Sequence, residues 1–303
     1  MITDLSRANH ILKSYYEKKD LAFIFGNGIN RYANNTNSNI SWNDMLLRVW
    51  DSISDKTLSD IAKGITLTEF YNIMEFEAGS AKVVREKTVD IIKSWTPSQY
   101  ENNLEIRLKE IDCPVLTTNF DGNIEQGLVR NKMSPKGFSD YYPWNVYYSD
   151  NKLNNPLDGF GVWHINGMKD YPRSLRLSLS EYINLTAKAR GYIHSGDALD
   201  SFDKKNIINW RGYHTWLHLI FNCNLCIMGL SLDEQETFLR WLLLERIKYF
   251  KKFRDRKKKG WFVCHKDDIQ NDGKRMFLEY LGFEIICLSD YKDIYEDLLD
   301  VSI

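Results

Sequence analysis

The sequence predicts an α/β fold: a doubly wound, parallel sheet of about six strands with helices on both faces and a helical lobe at one side. Three observations carry that expectation. Six short apolar runs recur along the chain, each stopping at a turn signal. None alternates apolar with polar, which is the pattern of strands covered on both faces. Segments of helical period lie between them.

The first run, Leu21–Phe25, ends at Gly26. Helical spacing follows from about Ser41 into Ile53, from Thr66 to Trp95 in one piece or two, and over Asn102–Glu110. The second run, Pro114–Thr117, ends at Thr118-Asn119, and the third, Gly161–Ile165, at Asn166-Gly167. Leu225–Met228 ends at Gly229, and Ser231-Leu-Asp-Glu234 then has capping-box spacing. That spacing predicts a helix beginning there and covering Asp233–Phe253. Trp261–Cys264 ends at His265-Lys266, and Phe283–Leu288 at Ser289-Asp290. The helical stretch 40–110 separates the first two strands, so a lobe beside the sheet is expected, with a ligand cleft between them. Residues 169–222 read as a helical and loop-rich insertion, and 1–303 as a single domain.

Composition narrows the function classes. With 303 residues, 43% of them hydrophobic and 27% charged, the chain is of ordinary globular character. A chain of this size buries about 75% of its unfolded surface and needs neither disulfides nor metal to fold. Forty basic residues against 41 acidic give a net charge of -1, which disfavours a wholly basic nucleic-acid binder. One basic run, Lys251–Lys259, carries seven cations in nine positions. It reads as the solvated end of a helix or as a nucleic-acid patch. Five cysteines lie in or beside apolar runs, as buried thiols in a reducing compartment would. Met1-Ile-Thr-Asp-Leu-Ser has no basic region leading into an apolar one, and no apolar run approaches the ~20 residues that a bilayer requires. The expectation is a cytoplasmic protein that does not enter a membrane.

The polar residues gather at strand ends, where ligands bind in open α/β sheets. Phe25-Gly26-Asn27-Gly28-Ile29-Asn30-Arg31 is strand followed by Gly-x-Gly. Such a turn suits a phosphate approached by backbone N–H groups, or a plain strand-ending turn. The third glycine of a dehydrogenase fingerprint is replaced by Arg31. Thr117-Thr118-Asn119-Phe120-Asp121 sets small polar groups beyond the second strand. They suit a water or sugar hydroxyl, or cap a helix running on through Ile124-Glu-Gln-Gly. His164 ends the third run beside Trp163, as a general acid–base or as a structural histidine. Gly229 and Ser231 form a further polar strand end, suited to a phosphate or to an ordinary capped turn.

The succession Gly26-Asn-Gly28-Ile-Asn30, Thr117-Thr118-Asn119-Phe-Asp121, His164-Ile-Asn-Gly, Ser178-Leu-Ser-Glu-Tyr182 and Gly229-Leu-Ser231-Leu-Asp233 resembles the sirtuin-like NAD-binding family. It looks most like the bacterial branch found in anti-phage defence. The resemblance spans about residues 20–300 and implies a Rossmann-like sheet with a helical lobe and NAD in the cleft. It implies Asn119 and His164 as the essential polar pair, Asp121 near the nicotinamide ribose, and Gly26, Gly28 and Asn30 in the phosphate turn. Asn27, Arg31, Thr118, Gly229 and Ser231 complete the expected nucleotide contacts. Only Cys223-Asn-Leu-Cys226 has the spacing of the zinc module of deacylating sirtuins, and four ligands are needed. No metal is therefore expected, and the activity implied is hydrolysis of NAD, as substrate rather than cofactor, to nicotinamide and ADP-ribose. Asn119 would hold the attacking water or a ribose hydroxyl, His164 would act as base, and Asp121 would give electrostatic support. A nucleotide-binding subunit without turnover is the alternative. A long aromatic loop at 137–160 suits a lid or a partner surface. Destruction of NAD needs control, so assembly into a homo-oligomer or with a regulatory partner protein is expected.

Overall fold

The computed structural model describes residues 1–33, 41–133, 142–194, 208 and 210–300. Its centre is a sheet of eight strands in the order β3-β4-β5-β2-β1-β6-β7-β8. The strands are β1 (Leu21–Phe25), β2 (Val115–Thr117), β3 (Arg130–Lys132), β4 (Val146–Tyr148), β5 (Val162–His164), β6 (Asn224–Met228), β7 (Gly260–His265) and β8 (Phe283–Leu288). The six runs anticipated as strands are β1, β2, β5, β6, β7 and β8, and all pair in parallel. The sheet is nevertheless mixed and larger than expected, because β3 and β4 add an antiparallel extension beyond β5. Arg130-Asn-Lys132 has no apolar residue to announce a strand. At the sheet's edge it needs none, and its charges discourage further pairing. At the opposite edge Ile2 bridges to Ile286 in parallel.

Every residue of β1, β6 and β7 is buried, because helices cover both faces. Side chains alternate between two cores. Ala22, Ile24, Leu225 and Ile227 join the first, with α7 (Leu179–His194), α8 (Leu217–Asn222), α9 (Thr237–Lys252) and α10 (Asp272–Tyr280). Leu21, Phe23, Phe25, Cys226 and Met228 join the second, with α1 (Leu5–Tyr16), α2 (Gly28–Ala33), α6 (Gln99–Ile111) and α11 (Tyr291–Tyr295). Cys223 and Cys226 thus lie in opposite cores and do not converge. All five cysteines are buried free thiols.

The helical stretch 40–110 divides, its residue 40 lying outside the described residues. α3 (Trp42–Asp51), α4 (Leu67–Glu77) and α5 (Ala81–Lys93) form their own core around Leu46, Trp50, Tyr71 and Val84. α6 packs on the sheet instead. Phe120, beyond β2, and Leu175 and Leu177, beyond β5, insert into the α3–α5 core. Those insertions fix the lobe beside the strand ends. Side-chain caps start the helices: Ser41 on α3, Thr66 with Glu69 as a capping box on α4, Ser80 on α5, and Ser98 with Glu101 as a capping box on α6.

The expected capping box at Ser231-Glu234 does not form. Leu232 takes a positive φ of 49°, Asp233 Oδ1 accepts from Gln235 N, and α9 begins only at Thr237. The loop expected over 137–160 begins outside the described residues and then includes β4. Of the 169–222 insertion, residues 195–207 and 209 also lie outside them. Part of the basic run is tied down: Lys258 pairs with Asp20 at 2.7 Å, and Lys259 lies over the Tyr15 ring. No helix among the described residues is long and apolar enough to cross a membrane.

Candidate functional site

A cleft of about 1010 Å³ runs along the carboxyl ends of the parallel strands, with the α3–α5 lobe as one wall. Beyond β1 it meets Asn27, Gly28 and Arg31; beyond β2, Thr118, Asn119 and Asp121; beyond β6, Gly229 and Ser231. Three residues expected at the site, Gly26, Asn30 and His164, do not line it. They lie directly behind the residues that do.

Gly26 and Gly28 serve a close approach between two turns. Gly26 N donates to Met228 O at 3.0 Å, and Gly28 N to Gly229 O at 2.7 Å. A Cβ on Gly26 would stand 2.5 Å from Gly229 O, and one on Gly28 2.6 Å from Gly229 Cα. Contact between backbones leaves no room for a side chain. It also engages two of the amides expected to meet a phosphate. What the turn offers the cleft is the side chain of Arg31, on α2, which pairs with no carboxylate among the described residues.

Asn30 is completely buried and ties β1 to β2: its Nδ2 donates to Asp121 Oδ2 at 2.8 Å and to Asn27 Oδ1 at 2.9 Å. Asp121 Oδ1 accepts from Asn123 N at 3.1 Å. Asn123 in turn donates to Glu101 Oε1. Those bonds hold residues 119–129 in turns, and the helix weighed for Ile124-Glu-Gln-Gly does not form. Asn119 Nδ2 donates to Gly26 O at 3.4 Å, leaving its Oδ1 and second N–H for a bound molecule. Asn166 Nδ2 donates to Thr118 O, and Lys169 N to Phe120 O, clamping the loop from the β5 side.

His164 does meet Asn119, but from behind. Its Nδ1 lies 2.8 Å from the Asn119 backbone oxygen, and its Nε2 2.6 Å from Glu125 Oε1. Both ring nitrogens are engaged and the ring is wholly buried, so here it takes no proton from a molecule in the cleft. Burial opposes the charged imidazole. The Glu125 carboxylate, with both hydrogen bonds, outweighs that and holds His164 above its ordinary value. Burial pushes the Glu125 carboxyl up, against the pull of His164.

Several residues of the cleft escape a sequence reading. Glu236 lies on it, its carboxyl pushed up to about 7 by burial and then by Asp233. Trp42 and Trp95 line the lobe side, and their indole Nε1 atoms find no acceptor among the described residues. At the far end His265 stacks on Tyr291, ring centres 4.5 Å apart, and Lys274 also lines the cleft, its Nζ 4.9 Å from the centre of the Phe262 ring and its pKa lowered by burial. Polar strand ends therefore occupy one end of the cleft, and aromatic and basic groups the other. Among the described residues no group of three or more His, Cys, Asp or Glu is placed to hold a metal ion. No protein-family model and no curated protein matches the chain.

Proposed function

We propose that the chain hydrolyses NAD to nicotinamide and ADP-ribose, as an effector that depletes the nucleotide in anti-phage defence. The observation that carries the reading is the juxtaposition of Asn119 and Asp121 at one end of an elongated cleft, with His164 bonded to the Asn119 backbone. Departure of nicotinamide leaves positive charge on the ribose. The Asp121 carboxylate, fixed by Asn30 and Asn123, is preorganised to face such charge. The Asn119 amide both donates and accepts, and so suits a water or ribose hydroxyl. Arg31 suits the diphosphate, and the His265–Tyr291 end suits the adenosine. Assembly as a homo-oligomer or with a regulatory partner protein would hold such an activity in check.

The test measures nicotinamide released from NAD by the assembled wild type, Asn119→Ala and His164→Ala. Both variants should lose at least about 100-fold in rate. A common rate for all three proteins overturns the assignment. A second reading, a subunit that binds NAD or ADP-ribose without turnover, is favoured by one observation: no free imidazole faces the Asn119 end. Calorimetry showing NAD bound by the assembled protein, with no nicotinamide appearing, would select it.

A further inference from the structure

His164 and Glu125 form a buried pair that the proposed chemistry leaves unexplained. Glu125 follows β2 by eight residues and shows 6% of its surface. Its Oε1 lies 2.6 Å from His164 Nε2, while His164 Nδ1 lies 2.8 Å from Asn119 O. A carbonyl oxygen only accepts, so Nδ1 carries a hydrogen. The remaining ring nitrogen then meets the carboxyl group across a single shared proton. The ring is walled in by Tyr148 of β4, edge-on at 6.1 Å between centres. Asp121 on the same loop and Lys169 beyond β5 are the other charges acting on the pair, and Asp170 bonds the Tyr148 hydroxyl.

We propose that Glu125 is a positioning residue of this site: it holds His164 as a doubly protonated ring whose Nδ1–H fixes the backbone of Asn119, and with it the side chain that meets the substrate. Two facts of geometry lead there. The imidazole does not itself line the cleft, and it bonds the backbone of Asn119, which does. The loop carrying Asn119 is not helical, so its backbone needs bonds from elsewhere, and the Nδ1–H supplies one. A neutral partner at 125 lets His164 lose its second proton and turn, and Asn119 shifts with it. Misplacement by about 1 Å costs up to about 100-fold in rate.

The inference rests on the NAD reading for its kinetic part only. Nitrogen-15 NMR of the imidazole rings, with His164 assigned through His164→Gln, should show both its nitrogens protonated from pH 6 to 8 in the wild type. In Glu125→Gln one nitrogen should lose its proton within that range. A singly protonated His164 in the wild type overturns the proposal without recourse to any variant. In the nicotinamide assay Glu125→Gln should lower kcat about 10- to 100-fold with KM for NAD nearly unchanged, and Glu125→Asp should recover part of it. Unchanged kcat in a folded Glu125→Gln overturns the positioning role while leaving NAD hydrolysis standing. The expected ring protonation in a protein that never releases nicotinamide keeps the pair and removes the NAD reading.

Discussion

Replacing Asn30 by Asp exchanges one nitrogen for oxygen inside the bond that joins the first two parallel strands. The side chain is fully buried and donates to Asp121 Oδ2 at 2.8 Å and to Asn27 Oδ1 at 2.9 Å. In Asn30→Asp a carboxylate oxygen faces both acceptors. Two unit charges 2.8 Å apart repel by about 6 kcal/mol at an effective dielectric constant of about 20. Taking up one proton relieves this, and at pH 7 it costs roughly 4 kcal/mol for a carboxyl of reference pKa about 3.9. Protonation is the less costly route, so the variant should lose about 4 kcal/mol of stability at pH 7 and roughly 1.5 kcal/mol at pH 5. The sign follows from linkage. The folded variant keeps a proton that its unfolded chain has released, so stability falls as pH rises through this range. The slope is about 1.4 kcal/mol per pH unit until the folded pair itself ionises. Urea unfolding of both proteins at pH 5, 6 and 7 measures the difference, which should widen by close to 3 kcal/mol across the series. A difference that stays level with pH would refute the buried contact between residues 30 and 121, and with it the account of how Asp121 is oriented.

Arg31→Ala removes the cation that α2 sets on the cleft. A charge-assisted hydrogen bond is worth about 1.5–3 kcal/mol, so the calorimetric Kd for ADP-ribose should rise roughly 10- to 100-fold. Unchanged affinity takes Arg31 out of the proposed diphosphate site. Glu236 has its carboxyl raised from 4.5 to about 7, so ionising it costs stability as pH climbs through that window. Glu236→Gln should therefore unfold at higher urea than the wild type at pH 8, and the gap should close by pH 4.5; a gap independent of pH contradicts the burial of that carboxyl. Gly167 has a φ of +94°, and a Cβ there would stand 2.3 Å from Ser174 O. Gly167→Ala should cost more than about 3 kcal/mol, and a thermal scan within a degree of the wild type would show that the Asn166–Ser174 turn is built differently.

The six parallel strands were legible in the sequence because a strand buried on both faces has no polar side, and a short, mostly apolar run closed by a polar or glycine turn is its direct signature. Asn119, Asp121 and Arg31 were legible as cleft residues for a related reason: polar groups directly beyond a buried strand fall at the carboxyl edge of the sheet. The antiparallel pair was not. Arg130-Asn-Lys132 is polar throughout, and it becomes a strand only because Val146–Tyr148 offers it a partner. Strand pairing is a property of two segments, and a single edge strand carries little of it in its own composition. Glu125 was hidden because the sequence also allowed a helix running on through Ile124-Glu-Gln-Gly, and nothing local marks Glu125 as the partner of a distant histidine. Hydrogen bonds from Asn30 and Asn123 to Asp121 hold that segment in turns, and His164, 39 positions further along, draws Glu125 inward. The role of the glycines shifted for the same kind of reason, since the turn that occupies the amides of Gly26 and Gly28 belongs to a strand some 200 residues away. Side-chain polarity and apolar periodicity are local and survive in the chain as written; the partner that satisfies a buried donor or charge is set by how distant segments pack.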